Sequence, residues 1–264
     1  FENILINCKK LKVISRHGVG IDNVDLNFIK KNNISLLITA KANAISVSEH
    51  VMSLILSISK NLHAYNSDVK KGNFKQNAHL LESFELDKKK ILIVGFGRIG
   101  KNLIKKCLAF NMNVMVYDPF VDESIIKKHG GNKIKDFYSE ITKVDYLSLH
   151  LPLNEKTKNM INYKTLQSMK KSSIIINTAR GGIINEIDLD KALNEKLIFG
   201  AGLDVYETEP VKKSNPLLKN NKVILTPHSA TFTNECKSKM GMETAQNIID
   251  FFENKIDDSM VVKL

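Results

Sequence analysis

The 264-residue chain has no tryptophan and only three cysteines, five prolines and three arginines. The cysteines, Cys8, Cys107 and Cys236, are odd in number and far apart. They therefore form neither a disulfide framework nor a metal-binding pattern, and we expect no metal site. Sparse, unpaired cysteines are typical of a reducing compartment, which predicts a cytoplasmic protein.

Long hydrophobic runs are also missing. No apolar run approaches the ~20 residues that a membrane-spanning helix needs, and no signal peptide is visible. We therefore expect no membrane partner. Because the chain opens with Phe1 rather than Met, we also expect that an N-terminal part is missing from it.

Arginine is scarce although the formal net charge is +11. Only Arg16, Arg98 and Arg180 are arginines, and the other 36 basic residues are lysines scattered along the chain. Base readout and bidentate phosphate binding favour arginine, and single-strand binding favours aromatic platforms. We therefore predict that nucleic acid is not a partner. The three arginines mark positions where a planar guanidinium is needed.

Short apolar runs alternate with segments of helical period in the second part of the chain. The predicted strands are residues 91–94, 114–117, 146–149, 174–177, 198–203 and 223–225. Continuous apolar strands separated by helices are typical of a doubly wound parallel sheet. The sequence therefore predicts an α/β fold.

The first part of the chain predicts a smaller unit. Residues 11–15 and 34–38 are expected to be strands, and Ser46 with Glu49 makes a capping box at a helix start. Apolar residues at helical spacing follow from Val47 to Leu62. Residues 66–90 are polar and lysine-rich, and we interpret them as a linker. A last helix carries Ala245, Ile248, Ile249 and Phe252 on one face.

The segment after the predicted strand 91–94 contains three glycines, Gly95, Gly97 and Gly100. A G-x-G-x-x-G pattern between a buried strand and an amphipathic helix predicts a dinucleotide site. Gly95 makes the turn, Gly97 lets the pyrophosphate approach, and Gly100 lets helix and strand meet. Asp118, after the next strand, is placed to bind ribose hydroxyls and to exclude a 2′-phosphate, which favours NAD over NADP. The alternative is a glycine-rich turn with a solvated Asp118.

Three later segments place polar residues directly after predicted strands. They contain Arg180, then Asp204 and Glu209, then His228. Arg180 is suited to bind carboxylate and carbonyl oxygens, His228 to exchange a hydroxyl proton, and Glu209 to orient and stabilise the imidazolium. Asp204 is a candidate for the nicotinamide amide. Taken singly, each is more often a surface ion-pair or structural residue; together, after a dinucleotide loop, they favour hydride transfer with a 2-hydroxy acid.

The sequence resembles the D-isomer-specific 2-hydroxyacid dehydrogenase family, and within it the branch that acts on phosphoglycerate. The resemblance runs from about Leu11 to the C-terminus. It rests on residues 16–25, 95–100, 117–119, 150–153, 177–181, 202–205 with 209–210, and 226–228.

The resemblance implies an NAD-binding Rossmann domain inserted into a smaller flavodoxin-like substrate domain that looks N-terminally truncated. Residues 1–45 and 232–264 would form the substrate domain, and residues 46–231 the NAD-binding domain with the long interdomain helix. A homodimer or homotetramer is also implied.

The resemblance assigns roles residue by residue. Arg180, Glu209 and His228 would be catalytic. The cofactor-binding residues would be Gly95, Gly97, Arg98, Ile99, Gly100, Asp118, Thr178 and Asp204. The substrate would be held by Arg180, by the main-chain amides of Val19 and Gly20, and by Arg16, whose position contacts a substrate phosphate in that branch.

The expected activity is hydride transfer between D-3-phosphoglycerate and NAD in serine biosynthesis. A glyoxylate or hydroxypyruvate reductase on the same scaffold is the alternative enzyme. An NAD-sensing binding protein, similar to corepressors with this fold, is the alternative of another class.

Overall fold

The computed structural model describes residue 5, residues 7–74 and residues 81–263. The chain divides into two compact units. The terminal unit comprises Phe1–Ser46 and Thr231–Leu264, and the central unit comprises Val47–Ala230. In chain order the helices and strands are β1 (Val13–Arg16), α1 (Leu26–Lys31), β2 (Ser35–Ile38), α2 (Ala44–Ser59), α3 (Leu62–Lys70), β3 (Lys90–Val94), α4 (Arg98–Ala109), β4 (Asn113–Tyr117), α5 (Glu123–Lys128), β5 (Asn132–Lys133), α6 (Phe137–Glu140), β6 (Tyr146–Leu149), α7 (Tyr163–Ser168), β7 (Ile174–Asn177), α8 (Glu186–Asn194), β8 (Gly200–Leu203), β9 (Val223–Leu225) and α9 (Asn234–Phe252).

The central unit is built on a seven-stranded sheet with the order β5-β4-β3-β6-β7-β8-β9. Every pair of neighbouring strands in it is parallel. The order reverses between β3 and β6, and ligands of open α/β sheets bind at such a switch point. The predicted doubly wound parallel fold is therefore confirmed.

Both faces of this sheet are covered, which explains why its central strands β3, β6, β7 and β8 are mostly apolar. On β3, Leu92 and Val94 belong to one buried cluster, and Ile91 and Ile93 to another. Helices α2 and α4 supply the second cluster with residues that include Leu54, Ile55, Ile58, Leu103 and Ile104. Helices α7 and α8 supply the first with Leu166, Leu189, Ala192 and Leu193.

The terminal unit contains the parallel pair β1–β2, in which Arg16 is opposite Ile38. Its small core consists of Val24, Ile29, Ile34 and Leu36. Among the described residues of the chain, no helix is both long and apolar enough to cross a membrane.

Several local predictions were wrong. Helix α2 begins at Ala44, so Ser46 is not its cap; Ser46 is buried and its hydroxyl lies 3.2 Å from that of Thr233. The helix ends at Ser59, because Asn61 adopts a left-handed conformation (φ 50°). Leu62 therefore starts α3 and is 53% exposed.

The predicted linker 66–90 is also only partly correct. Helix α3 continues to Lys70, and β3 already begins at Lys90. Residues 75–80, in the middle of that segment, lie outside the described part of the chain.

Helix α9 extends further toward the N-terminus than its predicted apolar face. Its buried residues are Cys236, Met240 and Asn247. The predicted face is exposed instead, and consists of Ala245, Ile248, Ile249 and Phe252. The buried positions follow helical spacing from Cys236 onward. The helix therefore packs on the side opposite to the predicted apolar face.

Candidate active site

All strands of the central sheet point the same way, so the segments that follow them meet at one edge. Those segments contain all of the predicted site residues of the central unit: Gly95 to Gly100 after β3, Asp118 after β4, Thr178 and Arg180 after β7, Asp204 and Glu209 after β8, and His228 after β9.

The glycine loop after β3 leaves no room for side chains at two of its three glycines. Gly95 has φ +94°, and a Cβ atom there would lie 2.3 Å from the carbonyl oxygen of His150. A Cβ atom on Gly100 would lie 2.5 Å from the carbonyl oxygen of Gly95. At Gly97 an added Cβ would meet no protein atom within 4 Å. The backbone at Gly97 therefore faces open space, where a ligand can approach it.

Helix α4 starts directly behind this loop with its amides uncapped by any side chain. Its N-cap is Gly97, and no side-chain hydrogen bond caps it. Arg98 is exposed and Ile99 is half-buried in the first turn. A helix N-terminus with unpaired amides attracts anions. This end of α4 can therefore hold a phosphate group.

Asp118 lies beside the same loop. Its Oδ2 accepts a hydrogen bond from the amide of Phe96 at 2.8 Å, and its Oδ1 accepts one from the amide of Phe120 at 2.9 Å. These bonds fix the carboxylate, and each oxygen retains lone-pair capacity. Asp118 is therefore held next to the glycine loop, as a ribose-binding residue needs to be.

Two buried polar atoms at the same edge have no hydrogen-bond partner within the described chain: Oγ1 of Thr178 and Nδ1 of His150. The other ring nitrogen of His150 lies 2.8 Å from the hydroxyl of Ser148. Burial lowers the pKa of His150 to about 3, so its imidazole is neutral at neutral pH. Orphaned buried polar groups are costly unless a ligand satisfies them. Together with the open face of Gly97 and the uncapped α4, these atoms fit a bound dinucleotide.

The loop that carries Arg180 is braced by the last residue of β7. The side chain of Asn177 accepts a hydrogen bond from the amide of Ala179 at 3.0 Å and donates one to the carbonyl of Arg180 at 2.8 Å. Nη1 of Arg180 donates to the carbonyl of Ala179 at 2.6 Å. The guanidinium is partly buried at the carboxyl edge of the sheet, where its fork is suited to an anionic substrate.

His228 and Glu209 form a direct pair. Nδ1 of His228 lies 2.7 Å from Oε2 of Glu209, although 19 residues separate them in the chain. His228 adopts a left-handed conformation with φ +52°, which is uncommon for a residue with a side chain. The carboxylate holds the imidazole through Nδ1 and is placed to stabilise its protonated form. This arrangement suits Nε2 for exchanging a proton with a bound alcohol or carbonyl.

Asp204 is almost fully buried and binds the segment that carries His228. Its Oδ1 accepts hydrogen bonds from the hydroxyl of Thr226 at 2.5 Å and from the amide of Ser229 at 2.8 Å. Its Oδ2 accepts one from the amide of Ala230 at 2.9 Å. Three of its roughly four acceptor positions are thus used within the protein. The main contacts of Asp204 therefore hold the segment from Thr226 to Ala230 in place.

His50 on helix α2 completes this network, and the sequence analysis missed it. Its Nε2 lies 3.0 Å from the hydroxyl of Thr226 and 3.6 Å from Oδ1 of Asp204. Since the single hydroxyl proton of Thr226 goes to the carboxylate, Nε2 of His50 is the donor in its bond to Thr226. Because 176 residues separate His50 from Thr226, no local pattern could have revealed the contact.

The predicted substrate residues Arg16, Val19 and Gly20 belong to the terminal unit. Arg16 is the last residue of β1, and Val19 and Gly20 follow in a half-buried turn. Gly18 anchors that turn: its amide donates to the hydroxyl of Thr39 at 2.8 Å, and its carbonyl accepts from the amide of Thr39 at 3.1 Å. In the described parts of both units, no group of three or more His, Cys, Asp or Glu side chains is placed to hold a metal ion.

The chain matches known proteins over most of its length. Residues 52–230 match the family model described as D-isomer specific 2-hydroxyacid dehydrogenase, NAD binding domain. The chain belongs to this family. The match covers the glycine loop and the residues from Arg180 to His228, and it confirms both the resemblance and NAD as the cofactor of the central unit.

The curated relatives include D-3-phosphoglycerate dehydrogenases, a hydroxypyruvate reductase and glyoxylate reductases. The chain is 35% identical over 259 residues to the D-3-phosphoglycerate dehydrogenase of Methanocaldococcus jannaschii. The aligned region covers 98% of this chain and 49% of that protein. The chain is 36% identical over 242 residues to the hydroxypyruvate reductase of Thermotoga maritima. That aligned region covers 91% of this chain and 77% of the reductase. The chain spans about half the length of the phosphoglycerate dehydrogenases that it matches.

Solved structures agree with the fold. The D-lactate dehydrogenase of Aquifex aeolicus, complexed with NAD and lactic acid, superimposes with a TM-score of 0.83 at 31% identity. That superposition covers 97% of this chain and 80% of the other. The architecture is therefore that of a 2-hydroxyacid dehydrogenase.

Proposed function

We propose that the protein transfers a hydride between D-3-phosphoglycerate and NAD, with 3-phosphohydroxypyruvate as the oxidised product, as in serine biosynthesis. The observation that carries the hydride transfer is the His228–Glu209 pair, with 2.7 Å between Nδ1 and Oε2. It leaves Nε2 as the nitrogen that exchanges the substrate proton. A protein that only senses the dinucleotide needs no such pair.

In the direction of oxidation, His228 takes the hydroxyl proton at Nε2 as the carbonyl forms. Glu209 stabilises the resulting imidazolium through Nδ1. Bound NAD supplies the hydride acceptor. Arg180 orients the substrate by binding its carboxylate and the oxygen at the reacting carbon. In reduction, His228 returns the proton to the carbonyl oxygen.

The remaining site residues divide between cofactor and substrate. We assign NAD to Gly95, Gly97, Arg98, Ile99, Gly100, Asp118, Thr178 and Asp204. We assign the substrate carboxylate to the amides of Val19 and Gly20, and the phosphate to Arg16. On this assignment the terminal unit is part of the substrate domain and the central unit is the NAD-binding domain. A homodimer or homotetramer is the proposed assembly.

A reductase of glyoxylate or hydroxypyruvate is the second candidate. It is supported by the Thermotoga maritima relative, which is named a hydroxypyruvate reductase and is covered over 77% of its length, against 49% for the first phosphoglycerate dehydrogenase. The chemistry at Arg180, Glu209 and His228 is the same for both candidates. The difference lies in whether the substrate carries a phosphate.

The first experiment compares NADH oxidation with 3-phosphohydroxypyruvate, hydroxypyruvate and glyoxylate. We expect the highest kcat/KM for the phosphorylated acid. Preference for the two smaller acids would support the reductase. NAD binding without turnover of any of the three would support an NAD-sensing role.

Arg16→Lys tests the phosphate assignment directly. Since lysine cannot reproduce a bidentate phosphate contact, we expect kcat/KM for 3-phosphohydroxypyruvate to fall by about tenfold, the loss of roughly 1.4 kcal/mol. The value for hydroxypyruvate should change little. Arg98→Lys, the same substitution at the glycine loop, is the control: it should alter the KM for NADH and leave the ratio between the two acids unchanged. Equal losses for both acids in Arg16→Lys would contradict the assignment.

A further inference from the structure

Tyr206, which the proposed function leaves without a role, contacts all three segments that carry the catalytic residues. It follows β8 in the central unit and is 7% exposed. Its carbonyl, its amide and its hydroxyl each meet a different segment. The inference rests on the proposed function, because it concerns how Arg180, Glu209 and His228 are held.

The carbonyl of Tyr206 lies against the segment of Arg180. A Cβ atom on Gly181 would lie 1.8 Å from the carbonyl oxygen of Tyr206 and 2.6 Å from the amide nitrogen of Glu207. Only glycine allows two backbones to come this close, since real Cβ atoms do not make such contacts. The residue next to Arg180 is therefore packed directly on the backbone of Tyr206.

The amide of Tyr206 holds the catalytic carboxylate. It donates a hydrogen bond to Oε1 of Glu209 at 3.1 Å. The other oxygen, Oε2, binds His228. The amide therefore binds one carboxylate oxygen of Glu209, while the other oxygen is available to the imidazole. The two hydrogen bonds together orient the carboxylate.

The hydroxyl of Tyr206 reaches the segment of His228. It donates to the carbonyl of Thr226 at 2.8 Å, with a longer contact of 3.4 Å to the carbonyl of Leu203. The amide of His228 donates to the same Thr226 carbonyl at 3.0 Å. The carbonyl oxygen of Thr226 therefore accepts hydrogen bonds from both the Tyr206 hydroxyl and the amide of His228, which adopts a left-handed conformation.

The hydroxyl of Tyr206 keeps its proton at neutral pH. Burial, together with the negative charges of Asp204, Glu186 and Glu209, raises the pKa of Tyr206 to about 12. The phenol therefore remains a donor at neutral pH. Its bond to Thr226 does not depend on the protonation of the catalytic residues.

We propose that Tyr206 is a positioning residue, whose hydroxyl sets the distance between His228 and Glu209 through the carbonyl of Thr226. The phenol does not touch the substrate or the cofactor in this role. It acts on the turn that presents the imidazole. Small displacements of a catalytic group lower the rate of the chemical step more than they lower ligand affinity.

Tyr206→Phe is the decisive variant, because the phenyl ring fills the same space and only the hydroxyl is removed. We expect kcat to fall by about tenfold, since a misplacement of ~1 Å can cost up to ~100-fold. The KM for NADH should stay within a factor of about two, because the glycine loop is untouched. Thermal unfolding of the variant, followed by circular dichroism, checks that the fold is retained.

Tyr163→Phe is the matched control. Tyr163 is the first residue of α7, and its hydroxyl donates to Oε2 of Glu195, the residue after α8, at 2.5 Å on the protein surface. We expect its kcat to equal that of the wild type. Retention of wild-type kcat in Tyr206→Phe would overturn the proposal, as would an equal loss in both variants.

A second readout does not depend on turnover. NMR of the imidazole nitrogens, in mildly alkaline buffer, reports the hydrogen bond at Nδ1 of His228. We expect Tyr206→Phe to weaken that signature and Tyr163→Phe to preserve it; an unchanged signature in Tyr206→Phe would contradict the positioning role. If the wild type turned over none of the acids, the proposed function would fail, while this measurement would still decide the role of Tyr206.

Discussion

At the scale of single residues, the conformation of the segments that follow the strands depends on where a side chain fits and where only glycine does. Gly95 and Gly100 are required by the protein itself, because an added Cβ would clash with a carbonyl oxygen within 2.5 Å. Gly97 is not, since nothing in the protein lies within 4 Å of such an atom. Gly97 also caps the N-terminus of α4 without a side-chain hydrogen bond, so a ligand that approaches this loop would explain its glycine.

Gly97→Ala should therefore separate binding from stability. We expect the free energy of unfolding without cofactor to change by less than about 1 kcal/mol, as for other N-cap substitutions of this kind. The affinity for NAD should fall by about tenfold or more, a loss of roughly 1.4 kcal/mol, because the methyl group occupies the approach of the pyrophosphate. Titration calorimetry and urea unfolding give the two values.

Gly241→Ala is the control for this prediction. It is the same substitution in open space, on helix α9. It should leave NAD affinity unchanged. Wild-type NAD affinity in Gly97→Ala would show that the pyrophosphate does not pack on this backbone.

At the scale of helices and strands, the start of α2 shows how tertiary contacts change a local pattern. Ser46 and Glu49 have the spacing of a capping box, yet the helix begins two residues earlier, at Ala44. Ser46 is buried, and its hydroxyl lies 3.2 Å from Oγ1 of Thr233. Thr233 in turn caps α9, by accepting a hydrogen bond from the amide of Cys236 at 3.1 Å.

Thr233→Ala should destabilise α9 by about 1 kcal/mol, the usual cost of losing an N-cap hydroxyl. Thr233→Ser keeps the hydroxyl and should stay close to the wild type. Urea unfolding followed by circular dichroism measures both. Equal stability of the alanine and serine variants would mean that the cap contributes nothing to α9.

At the scale of the whole molecule, buried histidine makes stability depend on pH. Burial lowers the pKa of His150 to about 3 in the folded chain, against ~6.5 in an unfolded one. Between these values the unfolded chain binds one more proton, so the stability contributed by this group is present above about pH 6.5 and falls as the pH drops toward about 3.

His150→Asn removes this titration. We expect its Tm to fall less than the wild-type Tm between about pH 7 and pH 5, a window that lies below the ~6.5 of the unfolded histidine. His63→Asn, the same change at an exposed position of α3, is the control and should follow the wild type. A His150→Asn curve parallel to the wild type would show that His150 is not a source of the acid sensitivity.

The sequence by itself determined the central fold and the edge where its polar residues meet. Strands buried on both faces, such as β3 and β7, form nearly continuous apolar runs, and such runs are visible in the sequence. The parallel direction of the strands then places Gly97, Asp118, Arg180 and His228 at one edge, without knowledge of any contact. The family resemblance rests on these segments and on residues 16–25 of the terminal unit.

The tertiary structure alone decided how those segments are held. The contact of His50 with Thr226 and the three contacts of Tyr206 join residues that the strand order brings together. A hydrogen bond between distant segments leaves no periodic trace in the sequence, since it depends on side-chain direction and not on residue type alone. For the same reason the sequence assigned Asp204 to the cofactor, whereas the folded chain first uses its carboxylate to fix the turn of His228.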